Sequence, residues 1–209
     1  MINLHLGDSL AAMRAMDDNT YDLAIVDPPY GMPKQCWRGG SNTGNGKLGN
    51  RAFFAHHGKG EGWDIAPTPE YFDQLRRISR NQIIWGGNYF PVNCYRCFIV
   101  WDKMTYVPTM SQVELAVTSF NSPARYVKIN STDPNRMHPT QKPVALYQWI
   151  LDNYATEGDR IIDTHLGSGS IAIACYNSGY ALDAWEIDPE YHANAVARYQ
   201  AHTRQLKLF

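Results

Sequence analysis

Short apolar runs alternate with amphipathic stretches along most of the chain. The runs that are typical of strands cover residues 2–6, 22–27, 82–87, 97–102, 113–120, 160–163 and 181–188. Several of them are continuously apolar, as is usual for strands of a parallel sheet that is covered on both faces. Helical periodicity appears between them, over residues 8–16, 69–80, 143–154 and 189–198. Strands that alternate with helices in this way predict a doubly wound α/β sheet.

Residues 31–64 break this pattern. They are rich in glycine, asparagine and basic side chains and show little periodicity. A loop of this length inside a compact domain is usually functional or disordered. Because 209 residues suffice for one sizeable core but are few for two, we expect a single domain over residues 1–209 that carries this stretch as an insertion.

The composition is that of a globular protein, with 44% hydrophobic and 19% charged residues. No apolar stretch reaches the roughly 20 residues of a membrane-spanning helix, and the N-terminus lacks the pattern of a signal peptide. We therefore expect a cytoplasmic protein with no membrane partner. The cysteines include one C-x-x-C pair, Cys94 and Cys97, without a second pair or a nearby histidine. No metal site is predicted, and the cysteines are expected to be reduced.

The formal net charge is -1, but the basic residues are concentrated in places. Between Gly31 and Gly60 there is no acidic residue, and basic residues again outnumber acidic ones between positions 125 and 142. Such a surface can attract phosphates even when the total charge is near neutral, although a solvated polar loop would have the same composition. The candidate nucleic-acid contacts are Lys34, Arg38, Lys47, Arg51, Lys59 and Arg136.

The stretch D-P-P-Y at residues 27–30 follows a predicted buried strand. In open parallel sheets, ligands bind beyond the carboxyl ends of the strands, so these residues should project into such a crevice. Pro28 and Pro29 lack N–H groups and stiffen the loop, Asp27 supplies acceptor oxygens, and Tyr30 offers a ring for stacking. This combination suits a flat molecule that carries an amino group. A proline turn capped by an acid is the alternative.

A second candidate site lies in the strand, glycine turn and small-residue helix of residues 160–175. Gly167 and Gly169 let the backbone approach a ligand closely. Glu186 ends a strand about 20 residues further on, where an acid can bind ribose hydroxyls. The glycines do not form a full G-x-G-x-x-G pattern, and the sequence has no G-x-x-x-x-G-K-[ST] loop. A cofactor with a nucleoside but no phosphate chain is therefore favoured.

A third stretch, H-P-T-Q-K-P at residues 138–143, precedes a predicted helix. The Thr140 hydroxyl and the Lys142 ammonium are suited to holding a small carboxylate near a helix N-terminus. A proline-rich entry loop without a ligand is the alternative.

The order of these motifs resembles that of the DNA amino-methyltransferases, which use S-adenosylmethionine. D-P-P-Y comes first, H-P-T-Q-K-P follows, and D-x-x-x-G-S-G-S with its strand-terminal acid comes last. This order is similar to the beta-type subgroup, which modifies N6 of adenine or N4 of cytosine. The resemblance covers roughly residues 1–30 and 136–200. It implies a Rossmann-like, doubly wound, mostly parallel sheet of seven strands, and double-stranded DNA as the substrate.

The resemblance also implies a role for each motif residue. Asp27, Pro28, Pro29 and Tyr30 would be the catalytic motif that accepts amino hydrogens and stacks on a flipped-out base. Aspartate in the first position implies transfer to N6 of adenine, with N4 of cytosine as the alternative. The residues implied for the cofactor are Asp8, Thr140, Lys142, Asp163, His165, Gly167, Ser168, Gly169 and Glu186.

Two departures from the family pattern are visible. Thr164 and His165 stand where the family usually has Pro-Phe, which predicts an altered aromatic contact with the cofactor. The segment from 31 to 135 is short for the family. Specificity is therefore expected to rest on the basic insertion and on a target-recognition segment at about 103–136. The sequence leaves open whether the protein forms a homodimer.

Three other functions are compatible with single motifs. LGDSL at residues 6–10 resembles the nucleophile motif of GDSL-type esterases, but no histidine has an aspartate three residues before it, so Ser9 is expected to begin a helix. A nicotinamide oxidoreductase would leave D-P-P-Y without a role. A nucleic-acid-binding module with a degenerate cofactor site is at odds with the intact Asp27, Gly167 and Glu186.

Overall fold

The computed structural model describes residues 1–31, 65–92, 96–105, 111–132 and 141–204. Its strands are β1 (Ile2–Leu6), β2 (Tyr21–Val26), β3 (Ser79–Trp85), β4 (Phe98–Asp102), β5 (Val113–Thr118), β6 (Arg125–Lys128), β7 (Arg160–Asp163) and β8 (Ala181–Glu186). Its helices are α1 (Ser9–Arg14), α2 (Pro69–Ile78), α3 (Val144–Tyr154), α4 (Ser170–Ser178) and α5 (Pro189–Arg204), with a short 3₁₀ helix at Gly87–Tyr89.

The strands form one sheet in the order β1-β8-β7-β2-β3-β5-β4-β6. Within the described ranges, every pair of neighbours is parallel except the two that β5 forms with β3 and β4. β7 and β2 are neighbours, but the chain continues from β7 to β8 on one side and from β2 to β3 on the other. At such a reversal, open α/β sheets form a crevice beyond the carboxyl ends of the strands, and ligands bind there.

The predicted fold class is confirmed, and each predicted apolar run contains a strand. The described sheet has eight strands and not the seven that were expected, because residues 125–128 form a further one. In this strand only Val127 is buried, between exposed Tyr126 and Lys128, so it carries no apolar run. It pairs with β4 at the edge of the sheet, and an edge strand does not need the continuous apolar sequence of a central one.

Local chemistry explains several element boundaries. Asp8 caps α1 by accepting the N–H of Leu10 at 2.8 Å, and Ser9 begins this helix as expected. α2 ends at Ile78, because Ser79 already pairs with Tyr21 as the first residue of β3. The last helix runs from Pro189 to Arg204, beyond the predicted end at residue 198.

The two faces of the sheet carry separate apolar clusters. Leu23 and Ile25 of β2 pack in one cluster with buried residues of α3, α4 and α5. Ala24 and Val26 face the other way and pack with α1 and α2. Side chains of a strand alternate between the two faces, so β2 is buried on both. The loop that follows β2 therefore starts from a strand that is held rigidly.

None of the helices in the described ranges combines the length and the hydropathy that crossing a membrane requires. Cys97 and Cys175 are buried free thiols, whereas Cys36 and Cys94 lie outside the described residues. The part of the chain that the structure describes contains no group of three potential metal ligands.

Candidate active site

The predicted catalytic residues lie in the loop that leaves the carboxyl end of β2. This strand ends at Val26, so Asp27 stands at the edge of the crevice, and Pro28 is buried. The hydroxyl of Tyr30 donates a hydrogen bond to Oδ1 of Asp27 at 2.9 Å. The two ends of D-P-P-Y are thus joined directly, and the prolines between them stiffen the loop.

Gly86, which follows β3, is required by the position of Tyr30. Its φ is 67°, in the left-handed region that favours glycine. A Cβ at this position would lie 2.2 Å from Cε1 of Tyr30, so a larger residue would displace the ring. The sequence pattern predicts a strand through residue 87, but the strand ends at Trp85. The contact with Tyr30 is not visible in the sequence.

Tyr30 packs against a second tyrosine that the sequence does not single out. Its ring stacks on that of Tyr89, with centroids 4.9 Å apart and an angle of 22° between the planes. It also meets Phe90 edge-on at 6.1 Å. Tyr89 is 48% exposed. One face of Tyr30 is therefore covered, and the aromatic surface continues outward onto Tyr89.

Lys142 lies against the loop that holds the predicted catalytic residues. The sequence predicts it at the cofactor, and that role stays a prediction. In the structure its Nζ forms an ion pair with Oδ2 of Asp27. The Lys142 side chain is only 2% exposed, and that of Asp27 is 14% exposed. Nζ also lies 5.1 Å from the centroid of the Trp85 ring. The structure thus brings together residues from two motifs that are far apart in sequence.

Glu114, which no motif predicts, extends this group of charges. It lies near the start of β5, and its Oε2 is 3.2 Å from Nζ of Lys142. Its Oε1 is 2.7 Å from Nζ of Lys103, which follows β4. Two ammonium groups therefore alternate with two carboxylates, and the series ends at Asp27. The signal in the sequence is a single acid inside an apolar run, which would equally suit a strand position open to solvent.

Burial and neighbouring charges set the pKa values in this group. Burial raises the pKa of Asp27, and the Lys142 ammonium offsets only part of that effect. Burial disfavours the ammonium of Lys142, but Asp27 and Glu114 together raise its pKa. For Glu114, the effect of burial is outweighed by Lys142 and Lys103, which lower its pKa. Lys142 thus remains an ammonium that two carboxylates share.

The predicted glycine turn connects β7 to α4. Gly167 and Gly169 have φ values of 52° and 76°, and a Cβ on Gly169 would lie 3.2 Å from that of Ala195. Glu186 ends β8 and accepts the backbone N–H of Gly167 at 2.9 Å and that of Asp188 at 3.0 Å, one at each carboxylate oxygen. The acid holds the turn, and each oxygen retains a lone pair for a further donor.

Asp163, the first acid of the glycine motif, is buried at the end of β7, which lies between β8 and β2. Its Oδ1 accepts the N–H of His165 at 2.9 Å. Burial raises its pKa to about 8, with smaller increases from the charges of Asp27 and Glu186. His165 packs edge-on against Tyr71 at 5.5 Å, and burial lowers the pKa of its ring to about 4. A neutral imidazole therefore occupies the position at which the DNA amino-methyltransferases that the sequence resembles usually have phenylalanine.

Ser168 and Asp8 occupy supporting positions. Arg198 of α5 donates to the backbone oxygen of Ser168 and to Oγ of Ser170, both at 2.9 Å, which ties the glycine turn to the last helix. Asp8 is exposed and caps α1. It lies at the same edge of the sheet as Glu186, because β1 pairs with β8.

The remaining predicted site residues lie outside the described ranges, and their roles stay predictions. The predicted insertion at 31–64 is described only at Gly31, while the segment predicted for target recognition contributes Lys103 and Glu114 to the group of charges. The residues outside the described ranges are Thr140, Lys34, Arg38, Lys47, Arg51, Lys59 and Arg136.

The described residues fit S-adenosylmethionine. Gly167 and Gly169 both have positive φ. Gly7 follows β1, the strand that pairs with β8, and a Cβ on Gly7 would meet nothing within 4 Å. The acidic side chains at this edge are Asp163, Glu186 and Asp8. The carboxylates of Glu186 and Asp8 suit ribose hydroxyls and a sulfonium cation, whereas a phosphate chain needs N–H and basic donors. This set of donors and acceptors favours the predicted cofactor over a dinucleotide.

Comparisons with known proteins show what this chain is similar to. A family model described as "DNA methylase" matches residues 80–197. YubD of Escherichia coli strain K12, whose name describes it as a methylase, is 32% identical over 220 aligned residues, which cover 96% of this chain and 91% of that protein.

Two solved structures have the same fold. The complex of M1.HpyAVI with SAM gives a TM-score of 0.62 at 18% identity, and the match covers 95% of this chain and 100% of that one. The PvuII DNA methyltransferase, which is cytosine-N4-specific, gives a TM-score of 0.63 at 13% identity and covers 97% and 90%. At these identities the likeness concerns the fold alone.

Proposed function

Because the chain belongs to the N6/N4 family of DNA methylases, we propose that it transfers a methyl group from S-adenosylmethionine to N6 of an adenine in double-stranded DNA. The observation that carries the proposal is the arrangement at the end of β2, where Tyr30 and Lys142 hold Asp27 at the crevice of the sheet. Family membership supports the reaction and the substrate class. The aspartate in the first position of D-P-P-Y supports adenine.

The glycine turn would form the cofactor half of the site. Glu186 would bind the ribose hydroxyls, Asp8 would lie near the adenine of the cofactor, and Thr140 would lie near its methionine end. Bound S-adenosylmethionine supplies an electrophilic methyl group on a sulfonium sulfur. The M1.HpyAVI structure, which contains SAM on the same fold, supports this choice of cofactor. The other residues proposed to line this half are Asp163, His165, Gly167, Ser168 and Gly169.

The loop after β2 would form the half that binds the target base. The lone pair of an adenine amino group is delocalised into the ring. Acceptance of its two hydrogens by Asp27 and by the carbonyl of Pro28 would concentrate charge on N6. Asp27 suits this role because each of its oxygens, although paired with Tyr30 or Lys142, keeps a lone pair. Transfer forms an N–C bond, breaks an S–C bond and releases one proton, which Asp27 would accept.

Orientation and electrostatic fit would supply most of the catalysis, since no covalent intermediate with the protein is needed. A base paired within a duplex cannot reach such a crevice, and DNA methyltransferases are among the enzymes that flip the target nucleotide out. The flipped base would contact the aromatic surface of Tyr30 and Tyr89. Basic residues of the 31–64 insertion, together with Arg136, would contact phosphates.

The proposal is tested with S-adenosylmethionine that carries a labelled methyl group. The protein is incubated with unmethylated DNA, the DNA is digested to nucleosides, and the product is identified by mass. We expect labelled N6-methyladenine with the wild-type protein and none with Asp27→Ala, which should still bind the cofactor. We expect the Asp27→Ala variant to fold, because the buried Lys142 ammonium keeps Glu114 as a partner at 3.2 Å.

Other outcomes would correct the proposal in different ways. Labelled N4-methylcytosine would keep the reaction and replace the target base by that of the PvuII enzyme. An absence of label in DNA, with the cofactor still bound, would contradict DNA as the substrate. A loss of cofactor affinity in Asp27→Ala would contradict the division of the site into two halves.

A further inference from the structure

Glu114 is an acid in a position that folding alone does not explain. Its Oε2 is buried and makes no hydrogen bond with the described residues, although it lies 3.2 Å from Nζ of Lys142. Replacement of buried ion pairs by apolar residues of similar size is often neutral or stabilising. Apolar residues in place of the whole charged group would therefore serve the fold at least as well, whereas loss of Glu114 alone would leave Lys103 and Lys142 with too few carboxylates. A buried polar atom without a full set of partners is a reason to look for a function.

Among the residues that the structure describes, three groups surround the Lys142 ammonium. Asp27 reaches it from the loop after β2, and Glu114 reaches it from β5. The antiparallel direction of β5 places its first residues at the same edge of the sheet as the carboxyl end of β3. The Trp85 ring lies 5.1 Å from Nζ. Lys142 is thus shared between the predicted catalytic acid and a second acid on a different strand.

Lys103 balances the charges of this group. Its Nζ lies 2.7 Å from Oε1 of Glu114, and its side chain is 14% exposed. The group contains two ammonium groups and two carboxylates, so its formal charge is zero. Without the charge of Glu114, two ammonium groups would be left with the single carboxylate of Asp27. Lys142 would then pair with Asp27 alone.

We propose that Glu114 is a positioning residue for methyl transfer: it shares the Lys142 ammonium with Asp27, and so keeps the Asp27 carboxylate oriented and free to accept an amino hydrogen of the target base. The inference deepens the function proposed above and rests on it. Its physical basis is that a carboxylate neutralised by its own ammonium is a weaker hydrogen-bond acceptor than one that shares the ammonium with a second acid.

The charge of Glu114 also acts on the titration of Asp27. Burial raises the pKa of Asp27, Lys142 and the Tyr30 hydroxyl oppose that increase, and the negative charge of Glu114 adds to it. Removal of that charge should lower the pKa of Asp27. Transfer needs the carboxylate form, so the acid limb of the pH–rate profile should move to lower pH. The negative charge of Asp27 also contributes to the raised pKa values of three further groups, Asp163, Tyr71 and Tyr147.

The test is the single-turnover rate of methyl transfer to DNA as a function of pH in Glu114→Gln. The rate should fall by about 10- to 100-fold, as expected when a reacting group is misplaced, while the affinity for S-adenosylmethionine stays unchanged. The acid limb should move to lower pH. Glu70→Gln is the matched control, because Glu70 accepts two hydrogen bonds from Arg14, at 2.7 and 2.8 Å, on the surface helix α2. It should keep the rate and the profile of the wild type.

A second variant, Lys103→Met, tests the same idea in the opposite direction. Without the Lys103 charge, Glu114 draws more strongly on the Lys142 ammonium, and Lys142 then stabilises the Asp27 carboxylate less. The pKa of Asp27 should rise, and the acid limb of the pH–rate profile should move to higher pH. An unchanged rate and profile in Glu114→Gln would overturn the proposal, and so would a slower variant whose acid limb does not move. If Glu114→Gln fails to fold, Lys103→Met decides, and an unmoved limb there overturns the proposal. A wild-type protein that transfers no label to DNA would instead contradict the proposed function itself.

Discussion

The buried carboxyl of Asp163 should make the stability of this protein decrease as the pH rises through neutrality. Asp163 is 1% exposed, and burial raises its pKa to about 8, compared with about 3.9 in an unfolded chain. Between these values the folded protein holds a proton that the unfolded chain has released. The contribution of this group to stability is therefore complete below about pH 4 and is lost as the pH rises to about 8.

Asp163→Asn removes this titration and preserves the local contact. An amide oxygen can accept the N–H of His165 as Oδ1 of Asp163 does at 2.9 Å. Each pH unit between the two pKa values corresponds to about 1.4 kcal/mol, so the interval from about pH 6.5 to about pH 8 corresponds to about 2 kcal/mol. The interval starts there because the pKa of His165 is lowered from 6.5 to about 4 by burial, which gives the opposite slope below pH 6.5.

The free energy of unfolding is measured by urea denaturation of the wild type and of Asp163→Asn at several pH values. The stability of the variant relative to the wild type should increase by about 2 kcal/mol across this interval. Asp17→Asn, at an exposed position, controls for the loss of a negative charge and should show no such trend. A difference that does not depend on pH would refute the reasoning, and a difference of the opposite sign would show that the fold favours the carboxylate.

Glu186→Ala should weaken binding of S-adenosylmethionine in a calorimetric titration, because hydrogen bonds to a charged group contribute about 1.5–3 kcal/mol; unchanged affinity would contradict the ribose assignment. Gly86→Ala should lower both stability and the rate of methyl transfer, since a left-handed alanine costs about 1–2 kcal/mol and its Cβ would lie 2.2 Å from the Tyr30 ring. Gly179→Ala is the control, because its φ is 79° but its Cβ would meet nothing within 4 Å, so it should lose stability alone. Equal losses of rate in the two glycine variants would show that displacement of Tyr30 is not the cause.

Local patterns were sufficient for most of the fold. The seven apolar runs each contain a strand, and each strand packs at least partly against one of the two apolar clusters. β6 escaped prediction because only Val127 among its residues is buried. The start of β3 also differs from the pattern, since Ser79 continues a helical periodicity but pairs with Tyr21 of β2. In both places a contact with a neighbouring strand, which local sequence does not encode, decided the structure.

Motifs identified those parts of the candidate site whose chemistry is contained in a few consecutive residues. Asp27 and Tyr30 are three positions apart and bond to each other, and the glycine turn with Glu186 forms as the motif predicts. Glu114 and Tyr89 belong to no motif. An acid in a strand and a tyrosine after one are common, and nothing in the neighbouring residues distinguishes these two.

The sequence by itself determined the class of the sheet, the loops that line its crevice and the kind of cofactor that suits them, because periodicity and motif order are properties of the chain read in one direction. Only the tertiary structure decided that Lys142 neutralises Asp27 and shares its charge with Glu114. The free energy of a buried charge depends on the atoms around it in space, and the strand order that assembles those atoms comes from packing across the whole sheet.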